Sequence, residues 1–126
     1  MMPLNFNIDF LSALNSVTLL GRVGADPEVR GDIDRPFVTF SLATNEHFKP
    51  RDSDESEWRT KVSWHNVKVS KTSLVNTLTN YVQSGDRVLV QGKLNYRSYE
   101  DEETGKKIRN ADIIAEDLVC LSKRDL

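Results

Sequence analysis

Cysteine, histidine and long apolar runs are all scarce in this sequence. It has one cysteine, Cys120, and two histidines, His47 and His65, which are too few for an internal disulfide or a Cys/His zinc site. No apolar stretch approaches the ~20 residues of a membrane-spanning helix. We therefore expect no metal, no other cofactor and no membrane contact.

An excess of charge of one sign is also lacking. Seventeen Lys+Arg against nineteen Asp+Glu leave a formal net charge of -2 over 126 residues, so the bulk electrostatics do not predict a nucleic-acid partner as those of a basic domain would. The length suits one domain that folds without covalent staples. Evidence for a charged ligand therefore has to come from local groups of charged side chains.

The two ends of the chain carry little pattern. Residues 1–14 contain no Lys or Arg, so neither a secretory signal nor a mitochondrial transit peptide is evident there. We expect a flexible N-terminal lead-in; the alternative is a strand or turn that packs on a partner subunit, because apolar side chains recur in it. The folded domain then covers 15–122, and 123–126 form a short C-terminal end.

Alternation of apolar and polar residues predicts five strands. The predicted strands are 15–24, 37–45, 58–70, 86–99 and 108–122. Between them we expect turns at 25–36, a long exposed loop at 46–57, a hairpin tip at 100–107 and a break or bulge near Glu116 and Asp117.

A helical period interrupts the strands between the third and the fourth. Its apolar positions are Leu74, Leu78, Tyr81 and Val82. They predict a short amphipathic helix over 73–84 with Thr72 or Ser73 as N-cap. Strands and helix in this order predict an all-β fold, the five-stranded OB-fold barrel with one short helix between strands 3 and 4. A β-sandwich is the weaker alternative, because it leaves the helix unexplained.

The third strand, "KVSWHNVKVSK" (61–71), has two unlike faces. One face holds Trp64, Asn66, Lys68 and Ser70, and the other holds His65, Val67 and Val69. The polar face of the fourth strand holds Lys93, Asn95, Arg97 and Tyr99. The loop before the third strand adds Phe48, Lys49, Arg51, Trp58 and Arg59.

Aromatic rings interleaved with Lys and Arg suit single-stranded nucleic acid. Each base has a π-face that stacks on a ring, and each phosphate needs a cation nearby. We therefore predict stacking by Phe48, Trp58, Trp64 and Tyr99, with phosphate contacts from Lys49, Lys68 and Lys93. The alternative is that the rings are half-buried packing residues and the charges only solvate a barrel.

Signals of catalysis are weak. His65 has no neighbouring carboxylate and points with the apolar side chains of its strand, so we interpret it as a packed or interface residue rather than a general base. Cys120 is interpreted as a small core residue, and Glu100 to Glu103 as a solvated hairpin tip rather than a metal site. We predict that the protein is not an enzyme.

Four segments carry a resemblance to a known family. They are "NSVTLLGRVGADPEVRG", "FSLATNE", "SWHNVKV" and "YVQSGDRVLVQGKL". In this order they resemble the bacterial-type single-stranded DNA-binding proteins, and "LLGRVGADP" is most similar to the animal mitochondrial members. The resemblance covers about residues 15 to 122. It implies an OB-fold, a homotetramer and sequence-independent, non-catalytic binding of single-stranded DNA in replication and repair.

Location and residue roles follow from the resemblance as further expectations. The mitochondrial members imply the mitochondrial matrix, at the nucleoid, with the replicative helicase and DNA polymerase of the organelle as partners. By position, the family's stacking aromatics fall on Phe48, Trp64 and Tyr99. Its backbone-contacting residues fall on Arg51, Arg59 and Arg97. A fourth stacking position falls on Ser70, which has no ring, and His65 falls at a subunit contact.

The residues leave three other functions open. An OB-fold that prefers RNA would show the same face, since stacking ignores the 2′-OH. A nuclease would need paired carboxylates on that face to hold a metal, and the predicted face offers none. A barrel that only binds other proteins would show no affinity for any oligonucleotide at low salt.

Overall fold

The computed structural model describes residues 13–51 and 57–122, which form six strands and one helix. The strands are β1 (Val17–Val23), β2 (Glu28–Gly31), β3 (Pro36–Phe48), β4 (Arg59–Val69), β5 (Arg87–Glu100) and β6 (Lys107–Cys120). The helix is α1 (Thr72–Tyr81). Most of the predicted lead-in, the predicted C-terminal end and part of the predicted loop at 46–57 lie outside the described residues.

Five of these strands close into a barrel. They neighbour one another in the order β1, β5, β6, β4, β3, and the end of β1 also pairs with β3 through Arg22 with Ala43 and Val23 with Leu42. Gly21 permits this closure, because a Cβ there would lie 2.1 Å from the carbonyl oxygen of Ala43. With α1 between the third and fourth barrel strands, the predicted barrel is confirmed.

Strand parity decides which side chains fill the barrel. The most deeply buried strand residues are Val38, Leu42, Val67, Val69, Val88 and Val90. Each is flanked along its strand by side chains that point outward, as the alternation predicted. A one-residue slip would turn this apolar set to solvent, so the core fixes the register and with it the composition of the outer face.

The helix completes the core with Leu74, Val75 and Leu78, and it contacts β3. Its predicted N-cap is wrong: the chain enters the helix from extended Lys71, which makes no side-chain capping bond, so Thr72 already lies in the first turn. Tyr81 is 65 % exposed rather than buried, because the helix ends there and extended Val82 takes the buried place. Among the described residues no helix is long and apolar enough to cross a bilayer.

The segment predicted to hold only turns, 25–36, contains strand β2. It pairs with β3 from Glu28 opposite Thr39 to Gly31 opposite Pro36. The prediction was wrong because four residues with a single apolar side chain are too few to show a period.

The bulge predicted in the last strand is confirmed. Gln91 of β5 pairs with Asp117, but Gly92 pairs with Ala115, so Glu116 has no partner in the ladder. The extra residue re-aims the second half of β6 and keeps both halves of the strand facing the core.

Candidate nucleic-acid interface

Two rows of side chains cross the outer face of the barrel from strand to strand. The first row consists of Lys93 on β5, Ile114 on β6, Lys68 on β4, Thr39 on β3 and Glu28 on β2, each directly opposite the next. The two lysines lie on strands that are not neighbours, because β6 runs between them. They are therefore two strand spacings, or roughly 10 Å, apart.

The second row lies beside the first. It consists of Asn95 on β5, Asp112 on β6, Asn66 on β4 and Ser41 on β3. Trp64, opposite Ala43, comes next along β4 with the same parity. We use the term polar face for the outward side chains of these two rows together with Trp64, Arg97 and Tyr99.

A buried carboxylate lies in the middle of the polar face. Asp112 is 6 % exposed and accepts hydrogen bonds from Nε and Nη2 of Arg97, the second at 3.3 Å. The hydrogen bond and the negative charge of Asp112 raise the pKa of the Arg97 guanidinium above its usual value. Asp112 therefore neutralises much of the charge that the sequence assigned to a phosphate contact.

The indole of Trp64 stands out from the polar face. It is 63 % exposed, yet it lies against Gly24, where an added Cβ would come within 2.7 Å of the ring. The glycine backbone therefore supports the ring while most of the ring surface faces solvent. This combination suits a stacking platform, since the ring is positioned before a base arrives.

An aromatic ring and a cation contact each other across the loop between β3 and β4. Lys49 Nζ lies 5.0 Å from the centroid of the Trp58 ring, which is 63 % exposed. Arg51 is exposed, and Arg59, which follows Trp58 in the chain, forms a 3.6 Å ion pair with Glu57. The structure therefore places one predicted phosphate-contacting cation, Lys49, over an exposed aromatic ring.

The four predicted stacking aromatics do not share one side of the barrel. Phe48 pairs with Arg59, and strand parity puts both on the side of the β3–β4 ribbon opposite to Trp64. Tyr99, 48 % exposed, has the parity of Arg97 and belongs to the polar face. The structure therefore brings Trp64 and Tyr99 together with the lysine row and separates Phe48 from them.

His65 faces away from Trp64, in agreement with the predicted strand faces. It is half-buried, and its Nε2 lies 2.9 Å from Thr44 Oγ1 on β3. The partner is a hydroxyl rather than the carboxylate that would orient a general base.

The described ranges hold no group of three His, Cys, Asp or Glu side chains placed to bind a metal ion. The carboxylate at the centre of the polar face, Asp112, is engaged by Arg97. What the polar face offers is stacking, hydrogen bonding and ion pairing.

A groove of about 550 Å³ runs along the polar face toward β2. Its lining includes Arg30, Phe37, Thr39, Asn66 and Lys68. Arg30 and Phe37 were not predicted as site residues. The signal for Phe37 was present, because it alternates with the inward Val38 and so has to point outward.

The chain is similar to known proteins in sequence and in structure. A family model described as the single-strand binding protein family matches residues 14–121. The chain is 42 % identical over 106 residues to the mitochondrial single-stranded DNA-binding protein of Drosophila melanogaster, covering 84 % of this chain and 70 % of that protein. It is 37 % identical over 114 residues to that of Oryctolagus cuniculus, with 87 % and 76 % covered. A solved Plasmodium falciparum SSB complex with ssDNA matches with a TM-score of 0.79 at 32 % identity, covering 87 % of this chain and 97 % of that one.

Proposed function

Because this chain belongs to the single-strand binding protein family, we propose that it binds and protects single-stranded DNA, without sequence preference and without catalysis, during mitochondrial DNA replication and maintenance. The observation that carries the proposal is the polar face, where a supported, exposed indole stands beside rows of lysine and asparagine side chains. The mitochondrial single-stranded DNA-binding proteins and the ssDNA complex among its relatives support the same ligand.

Binding on the polar face divides between rings and cations. A base stacks on Trp64, and because every base has a π-face this contact tolerates any sequence. Lys68 and Lys93 attract phosphates, while Asn66 and Asn95 supply hydrogen-bonding groups in the row beside them. A duplex hides the base faces that a ring needs, so stacking selects single strands.

Fluorescence anisotropy with labelled oligomers of equal length tests the proposal. We expect tight binding of oligo(dT), at least ~10-fold weaker binding of a DNA duplex, and weaker binding of oligo(rU) than of oligo(dT). Equal affinity for the duplex would contradict stacking on exposed bases, and tighter RNA binding would identify the RNA-preferring alternative. Failure to bind any oligomer at low salt would favour the alternative that the barrel binds only other proteins.

Removing cations is expected to reduce the salt dependence of binding. Each phosphate contact on a single strand contributes roughly -0.7 to the slope of log K against log salt concentration. Lys68→Ala, Arg51→Ala and Arg59→Ala should each flatten the slope by at most about this amount, and Arg97→Ala by less, because Asp112 already neutralises it. An unchanged slope in the Arg51, Arg59 and Lys68 triple variant would place the phosphate contacts elsewhere.

Removing the buried charge of Asp112 is expected to act in the opposite direction. Asp112→Asn keeps the shape of the side chain but frees Arg97 for a phosphate, so affinity should rise and the slope should steepen by about 0.7. Glu116→Gln is the matched control, because it removes the same charge at the exposed bulge. Weaker binding by Asp112→Asn in protein that remains folded would show that the carboxylate supports the site rather than restrains it.

The proposed assembly is a homotetramer with dihedral symmetry. An apolar row crosses the outer face from Leu20 on β1 through Leu89 on β5 to Val119 on β6, followed by Leu121. Leu20, Val119 and Leu121 are 43, 47 and 46 % exposed. A contiguous apolar row on a small barrel supports burial against further copies of the chain.

Charge placed in this apolar row is expected to dissociate the tetramer. Val119→Glu should yield smaller species of unchanged fold at micromolar concentration, and His65→Glu should do the same at the expected subunit contact. Val62→Glu is the control, because Val62 is 49 % exposed and lies on the β3–β4 ribbon outside the row. Sedimentation velocity measures the outcome, and a monomeric wild-type protein would contradict the proposal.

The proposed location is the mitochondrial matrix, at the nucleoid, with the replicative helicase and DNA polymerase of the organelle as working partners. The mitochondrial names of the relatives support this location. Imaging of the tagged protein should show foci that coincide with mitochondrial DNA, and purified protein should stimulate unwinding by the helicase. A diffuse signal outside mitochondria would contradict the location.

A further inference from the structure

One outward ring in the groove has no role in the contacts proposed so far. Phe37 lines the 550 Å³ groove on the polar face and also a second cavity of about 420 Å³ that continues past the end of β4. Lys68 is the other residue that lines both cavities. Phe37 and Lys68 therefore stand where the two cavities meet.

The ring of Phe37 packs against the backbone of Gly31 and has a cation over its face. Gly31 lies beneath it with a φ of +83°, and a Cβ there would lie 3.0 Å from Phe37 Cδ1. Lys68 Nζ is 4.3 Å from the ring centroid. Arg30, directly opposite Phe37 on β2, has a side chain that is 58 % exposed and pairs with Glu28 at 2.6 Å.

We propose that Phe37 is a base-stacking platform and that the junction of the two cavities binds one nucleotide of single-stranded DNA. The base stacks on the Phe37 ring, and the Lys68 ammonium leaves the ring to contact the adjacent phosphate. Arg30, directly opposite Phe37 on β2, exchanges its ion pair with Glu28 for the next phosphate. This inference rests on the proposed binding of single-stranded DNA and names a further residue that carries it.

A weak ring–ammonium contact makes this exchange feasible. A cation–π contact at an exposed site is weaker than the stacking of a base on an aromatic ring. The ammonium also gains a phosphate when it moves, so the base displaces it at little cost. In the free protein the Lys68 ammonium lies over the ring.

Phe37 lies next to Ser70, the predicted stacking position that has no ring. Val38 pairs with Val69, so the register brings Phe37 beside Ser70, and both residues line the smaller cavity. Ser70 has no ring to offer. Phe37, on the neighbouring strand β3, supplies a ring instead. It lies two residues from Thr39, the β3 member of the row that contains the two lysines.

Phe37→Leu tests the platform, because leucine keeps an apolar side chain and removes the ring. Tyr81→Leu is the matched control, since Tyr81 is 65 % exposed and lines neither cavity. Anisotropy is measured with oligo(dT) and with an abasic deoxyribose-phosphate oligomer of equal length. We expect Phe37→Leu to lose about fivefold to tenfold on oligo(dT) and less than about twofold on the abasic strand. Phe37→Tyr and Tyr81→Leu should bind as wild type.

Two results would overturn the platform. One is Phe37→Leu binding oligo(dT) within about twofold of wild type, and the other is an equal loss on both oligomers. Failure of the wild-type protein to bind oligo(dT) would instead refute the proposed function itself. Ultraviolet crosslinking of the wild-type complex does not depend on a variant: mass spectrometry should find a thymine adduct on Phe37, and adducts confined to other residues would count against the proposal.

Discussion

Lysine in place of Val69 is expected to unfold the domain or leave it barely stable. Val69 is completely buried and pairs with Val38 inside the barrel. A lysine there would bring a charge without a partner into an apolar core, which costs about 3–5 kcal/mol. Small domains have only about 5–15 kcal/mol of stability, so urea or thermal unfolding should show a large loss.

The next residue provides the matched control for this change. Ser70 is exposed, one position past β4, so Ser70→Lys introduces the same side chain and should change stability by less than about 0.5 kcal/mol. Ser70→Phe should also be tolerated and place a ring beside Phe37, with a gain in DNA binding of about 1 kcal/mol at most. If Ser70→Phe unfolded the protein while Val69→Lys was tolerated, the strand faces would be inverted.

Alanine in place of Trp64 is expected to weaken binding of single-stranded DNA by ~1–3 kcal/mol. This is the range found by alanine substitution at stacking sites of single-strand-binding barrels, this family included. Stability should change little, because the indole is 63 % exposed. Val62→Ala, at an exposed position on the same side of β4, is the control. Equal affinity of wild type and Trp64→Ala for oligo(dT) would remove Trp64 from the site.

The sequence was sufficient to predict which side chains of each β-strand point inward, because only one face of a barrel strand is buried. Val67 and Val69 had to share a face by parity, and that face had to be the core, which left Trp64 and Lys68 outside. The same reasoning found the bulge near Glu116, where the alternation breaks. The apolar–polar alternation was sufficient to predict a side chain's direction wherever that direction depends only on the strand that carries it.

Contacts between distant strands could not be predicted in this way. The sequence does not show that β6 lies between β4 and β5, so it does not show that Asp112 reaches the centre of the polar face and binds Arg97. The reverse orientation of Phe48 depends on how far β3 extends into the predicted loop. These features follow from strand order and strand ends, which alternation does not encode.

Tryptophan fluorescence of a Trp58→Phe variant, titrated with poly(dT), is the most direct test that the polar face binds single-stranded DNA. Trp64 is then the single tryptophan of the chain, so any change in emission reports on the polar face. We expect saturable quenching at low salt that reverses as salt is added and that an equal concentration of duplex does not reproduce. Unchanged emission under conditions where anisotropy shows poly(dT) bound would contradict the account, because the strand would then bind away from Trp64.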